Sequence, residues 1–85
     1  MDLLLADGLE DAFLGIAMRF GQTGPISAYD YEKCLEILMK DGMTRDEAIE
    51  YFEFNIIGAW VGDGTPIFIQ TLNLEGAIEI YGHEE

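Results

Sequence analysis

The stretch Thr44–Ile57, TRDEAIEYFEFNII, carries the clearest local signal in the chain. Thr44 and Glu47 have the spacing of a capping box, in which the threonine hydroxyl accepts the N3 amide and the glutamate reaches back to the threonine amide. Met43, just before it, is placed to act as a hydrophobic staple. The pattern predicts a helix from Thr44 to about Ile57, ended by Gly58 and a turn at Gly62–Gly64. At about 100° per residue, Ile49, Phe52 and Ile56 share one side and form a core stripe. Trp60 joins them if the helix runs one turn further. Asp46, Glu50 and Glu53 line one flank, while Glu47, Tyr51 and Phe54 lie on the side away from the core.

Working outward, Asp30–Lys40 reads as a second helix with Tyr31, Cys34, Leu35 and Leu38 as its apolar stripe. Its acids lie at the start and Lys40 in the last turn, as the helix dipole favours, and Gly42 is a natural stop. Upstream, Leu9, Phe13, Ile16, Ala17 and Phe20 recur at helical spacing, and Asp7 and Glu10 are spaced as a capping pair. These predict a helix over Leu9–Phe20, closed by the turn residues of Gly21–Pro25. Downstream, Thr65–Leu72 is rich in β-branched and aromatic residues and Ala77–Tyr81 alternates with period two. Both predict strands, with Asn73–Gly76 as the hairpin turn between them. The expected architecture is a single acidic domain over residues 1–85 of the α+β class. About three short helices would pack on a small antiparallel hairpin, which needs such cover to be stable. The alternative is an all-helical bundle with an extended tail.

Composition narrows the function. Four Lys and Arg stand against seventeen Asp and Glu, a formal net charge of −13 at pH 7. Such a surface repels nucleic-acid phosphates and anionic membranes, so direct binding to either is not expected. A basic protein surface is the natural partner, and self-repulsion should make the fold more stable as salt rises. The hydrophobic fraction of 49% exceeds what a disordered chain carries. The lone Cys34 leaves no internal disulfide and fits a reducing compartment. Met1–Gly8 lacks the basic and apolar regions of a signal peptide, and no apolar run reaches the ~18 residues of a membrane span. The cytoplasm is the expected location by elimination.

Catalytic chemistry is not legible. The single histidine, His83, lies near the chain end, and Cys34 falls on a core stripe where it acts as a small hydrophobe. No zinc set, phosphate loop or EF-hand spacing is present, so no metal or cofactor is expected. Gly62–Pro66, GDGTP, reads as a turn. Enzyme is the least favoured class. Trp60, flanked by Gly58, Ala59 and Gly62, reads as a core anchor or as a contact in a homodimer.

The run Tyr29–Ile69, above all YDYEKC and EYFEFNIIGAWVG, resembles a small family of acidic phage and prophage proteins of uncharacterised function. The resemblance brings no catalytic residues. What it implies is a non-enzymatic inhibitor of host machinery that handles nucleic acid, such as an anti-CRISPR or anti-restriction protein that presents carboxylates in place of phosphates. The partner would be a host protein or ribonucleoprotein with a basic surface. Asp46, Glu47, Glu50, Tyr51, Glu53, Phe54 and Trp60 are the expected partner contacts. The alternative is a small structural or assembly adaptor acting through self-association or other protein contacts.

Overall fold

A computed structural model describes residues 3–59 and 62–82. In chain order it shows a 3-10 turn at Glu10–Ala12, strand β1 (Phe13–Ala17), β2 (Ile26–Asp30), helix α1 (Tyr31–Lys40), α2 (Arg45–Phe52) continued by a π-helical turn (Glu53–Ile57), β3 (Ile67–Ile69), and α3 (Leu74–Tyr81). The sheet order is β1-β2-β3, with β1 antiparallel and β3 parallel to the central β2. The fold is thus α+β, as the sequence predicts, but two segments have exchanged character.

Leu9–Phe20 is not a helix. It forms the 3-10 turn and then β1, and the Asp7/Glu10 capping pair is replaced by a local contact in which the Gly8 amide donates to Glu10 Oε2 at 3.1 Å. The helix-like spacing of Phe13 and Ile16 has a strand cause. The register slips between Phe13 and Gly15, so Phe13 sits opposite Tyr29 and Ile16 opposite Ser27. A bulge restarts the alternation one residue late, which returns residues i and i+3 to one face. Gly15 at the bulge takes φ +154°, a conformation other residues rarely adopt. The turn predicted at Gly21–Pro25 joins β1 to β2, and Gln22 fastens it by donating to the carbonyls of Ala17 and Gly24.

Ala77–Tyr81 is not a strand. Asn73, read as a turn residue, caps α3 by accepting the Gly76 amide at 2.6 Å. Leu74, Ala77, Ile78 and Tyr81 then recur at i, i+3, i+4 and i+7, a helical period hidden beneath the local Ile-Glu-Ile alternation. The predicted hairpin of Thr65–Leu72 with Ala77–Tyr81 therefore does not form. Only Ile67–Ile69 is a strand, and its partner is β2, reached through both α1 and α2.

The two helices placed correctly carry the core. Asp30 caps α1 by accepting the Lys33 amide at 3.1 Å, and the Thr44/Glu47 capping box is fully formed. Leu9, Ala12, Tyr29, Cys34, Leu35, Leu38, Ala48 and Phe52 form one buried cluster, with Met43, Ile49, Ile56 and Phe68 packed against it. Aromatic rings run through it in a row, Phe13–Tyr29–Phe68–Phe52–Tyr31, with centroids 4.9–5.6 Å apart. The Tyr29 hydroxyl accepts the Ala6 amide at 2.9 Å and Ser27 Oγ donates to the Leu4 carbonyl at 2.7 Å, which pins the N-terminal segment along β2. No helix among the described residues is long and apolar enough to cross a membrane.

Candidate functional site

The exposed side of α2 is where charge, concavity and an exposed ring coincide. Its orientation is fixed from beneath. Ala48 and Phe52 are fully buried, and Ile49 and Ile56 lean on the same core, so the helix has one way to lie down. Arg45 in its first turn grips Glu32 in the first turn of α1 through two hydrogen bonds of 3.1 and 2.9 Å. That pair holds Glu32 below the usual carboxylate range. It also engages the α2 cation, so Arg45 is turned toward α1.

What remains outward is acidic. Asp46, Glu47, Glu50 and Glu53, with Ile49 and Phe54, line a shallow open groove along α2 and its π turn. None of the six lining residues is basic. Glu47 has a second duty, since its carboxylate accepts the Thr44 amide at 2.9 Å in the capping box. Asp46 and Glu47 sit in the first turn, where the helix dipole favours negative charge. Glu50 gains no such help. It stands at i+4 from Asp46 and i+3 from Glu47, and Glu53 stands at i+3 from Glu50. Like charges at these spacings each cost about 0.2–0.5 kcal/mol, so the groove stores roughly 1 kcal/mol of repulsion that a cation would relieve.

The wheel on which these residues were placed holds as far as Phe54, because the π turn starts only at Glu53. On a straight α-helix Phe54 is i+4 from Glu50 and i+7 from Glu47, so it falls between these two acids. Phe54 accordingly lies in the groove with the carboxylates, its side chain 80% exposed. Tyr51 is partly exposed but does not line the groove, and its carbonyl accepts the Asn55 side chain at 3.2 Å. The structure thus brings together five of the predicted contacts, Asp46, Glu47, Glu50, Glu53 and Phe54, and adds Ile49, which the wheel assigns to the core. It leaves Tyr51 apart. Trp60 lies outside the described residues, as does His83.

Other groups fit supporting roles. Cys34 is fully buried, and burial, with the nearby Asp30 charge, pushes its thiol up to about 11, so it holds no thiolate at neutral pH. Among the described residues no three His, Cys, Asp or Glu side chains come together to hold a metal ion. Gly62–Thr65 forms the turn read from the sequence, with the Thr65 amide and hydroxyl both donating to the Gly62 carbonyl. No protein-family model, no curated protein and no solved structure matches this chain.

Proposed function

We propose that the protein is a non-enzymatic inhibitor that binds, through the acidic groove of α2, a basic surface of a host nucleic-acid-binding defence complex in the cytoplasm. The observation that carries this reading is the groove itself: four carboxylates and an exposed phenyl ring on a helix anchored from below, with no basic lining residue. Arg and Lys side chains suit it on both counts, because carboxylates pair with guanidinium groups and the Phe54 face accepts cationic stacking. A rigid acidic helix can occupy a channel evolved for phosphates while offering no bond to cleave. Electrostatic steering would speed its arrival and make inhibition fall with salt. The phage-type resemblance of Tyr29–Ile69 supports the choice of a defence complex, whether a CRISPR effector or a restriction enzyme.

The test is a triple reversal, Asp46→Lys, Glu50→Lys and Glu53→Lys, in a pull-down from host lysate and in an assay of the captured complex. Close interfacial charge pairs couple by about 1.5–7 kcal/mol each, so the variant should lose at least ~1,000-fold in affinity. Competitor DNA or RNA should displace the wild-type protein from the same partner. A triple variant that captures and inhibits as the wild type does would remove the groove from the mechanism.

A further inference from the structure

Strand β1 lies at the edge of the sheet, paired with β2 on one side. The backbone groups directed away from β2 have no strand partner among the described residues, and such a row of donors and acceptors is a template for another strand. Proteins blunt such edges with charge, proline or a bulge, and Phe13–Ala17 has only the bulge. The opposite edge, β3, is three residues long and follows Pro66. The side chains of β1 are apolar and open as well. Phe13, Leu14 and Ile16 are about half exposed, and Met18 and Phe20 just beyond them stand almost wholly in solvent. Charge sets this segment apart from the rest of the chain. The longest gap between acids runs from Asp11 to Asp30, so residues 12–29 hold no carboxylate and a single cation, Arg19. Arg19 is exposed and takes part in no ion pair among the described residues.

We propose that β1 pairs antiparallel with β1 of a second copy of this chain, joining two three-stranded sheets into one continuous sheet about a twofold axis. An isologous contact uses the same patch on both chains, and an antiparallel strand pair is self-complementary about its midpoint. Full overlap of the five residues of β1 sets the register. Gly15 then lies at the axis, Leu14 faces Ile16 of the second copy, and Phe13 faces its Ala17. The same register brings Arg19 of each chain alongside Asp11 of the other, because the two stand at equal distance in sequence from Gly15. Glu10 is next to it. Each end of the paired strands thus joins the one cation of the segment to the acids that precede the strand. This charge match selects a second copy. Two chains that each carry −13 need a meeting surface free of carboxylates, and residues 12–29 supply it. A basic partner finds no carboxylate on β1 and is drawn to the α2 groove instead.

Sedimentation equilibrium at about 200 µM chain should give twice the 9.5 kDa chain mass. Amide exchange within Phe13–Ala17 should be slower at about 200 µM than at about 5 µM, because pairing protects the N–H groups that face away from β2. Leu14→Lys lowers the net negative charge, which by itself favours association, yet it should weaken the dimer ~30-fold or more by placing a lysine on the paired edge. Amide protection of Leu35 and Phe52 should persist in that variant, since Leu14 is outside the core. Arg19→Glu should weaken the dimer about 10-fold. Adding Asp11→Arg should restore it, whereas adding Asp46→Arg, which gives the same net charge, should not. A wild-type chain that sediments as a monomer overturns the proposal, as does a dimer whose β1 amides exchange as in the dilute chain. So does a dimer indifferent to Leu14→Lys, or one that the Asp11→Arg swap fails to restore. The Asp46→Lys, Glu50→Lys, Glu53→Lys variant should stay dimeric, which separates this outcome from that of the groove.

Discussion

Phe52 is the joint at which α2, α1 and the sheet meet, and replacing it tests the architecture at its narrowest point. The ring is fully buried and packs edge-on against Phe68 at 4.9 Å and Tyr31 at 5.2 Å. Phe52→Ala removes its transfer free energy, opens a cavity and strips both neighbours of an edge contact. Large-to-small changes of this kind cost about 3–5 kcal/mol. A domain of 85 residues holds about 4–13 kcal/mol in total, at the usual ~0.05–0.15 kcal/mol per residue. Charge repulsion places this chain toward the lower end. Urea unfolding followed by far-ultraviolet circular dichroism should therefore show Phe52→Ala largely unfolded at low ionic strength and partly recovered at about 0.5 M NaCl. Phe52→Leu, which keeps most of the volume, should lose about 1–2 kcal/mol and remain cooperative. If Phe52→Ala loses less than ~1.5 kcal/mol with an unchanged urea slope, the ring is not the joint and the packing of α2 described above is wrong.

Thr44→Ala removes the hydroxyl that accepts the Glu47 amide at 3.2 Å and should cost about 1 kcal/mol, read as a lower urea midpoint. Cys34 should resist thiol reagents in the folded protein at pH 8 and react fully in urea. Its thiol is raised from 9.0 to about 11 on folding, so its contribution is intact below the unfolded value and is lost as pH rises through the folded one. The loss approaches ~2–3 kcal/mol, and the Cys34→Ala variant should lack that part of the alkaline fall in melting temperature.

Local signals that rest on one or two side chains were readable in the sequence. The Thr44/Glu47 box and the Gly42 stop, which takes φ +108°, each impose a backbone conformation by themselves, and both lie where the pattern puts them. The errors occur where a second effect mimics the wrong period. At Phe13–Ile16 a bulge reproduces helical spacing within a strand, and only pairing with β2 reveals it. At Ile78–Ile80 two isoleucines flank a glutamate and imitate a strand, although Leu74, Ala77 and Tyr81 continue the helical repeat. Strand β2 gives little warning, because Ile26, Ser27, Ala28 and Tyr29 are all buried and a strand covered on both faces shows no alternation. The acidic contacts were legible because charge on a well-capped helix has a predictable azimuth. Phe54 was legible on the same wheel, i+4 from Glu50, whereas nothing local announces the π turn at Glu53–Ile57.

Tyr31 shows how the acidic groove and the apolar helix α3 adjoin without being one surface. Burial raises its hydroxyl above the ordinary tyrosine range, and the charges of Glu53 and Glu32 and the hydroxyl of Tyr81 push the same way against Arg45. Glu53 belongs to the acidic groove and Tyr81 to the apolar helix, so the field of one surface reaches the edge of the other. The carboxylates of α2 can serve recognition while β1 serves assembly, because each of these two surfaces lacks what the other's partner needs. Among the described residues the Glu50 carboxylate has no ion pair or hydrogen bond and Leu14 is 54% exposed, and these opposite deficits call for chemically different neighbours.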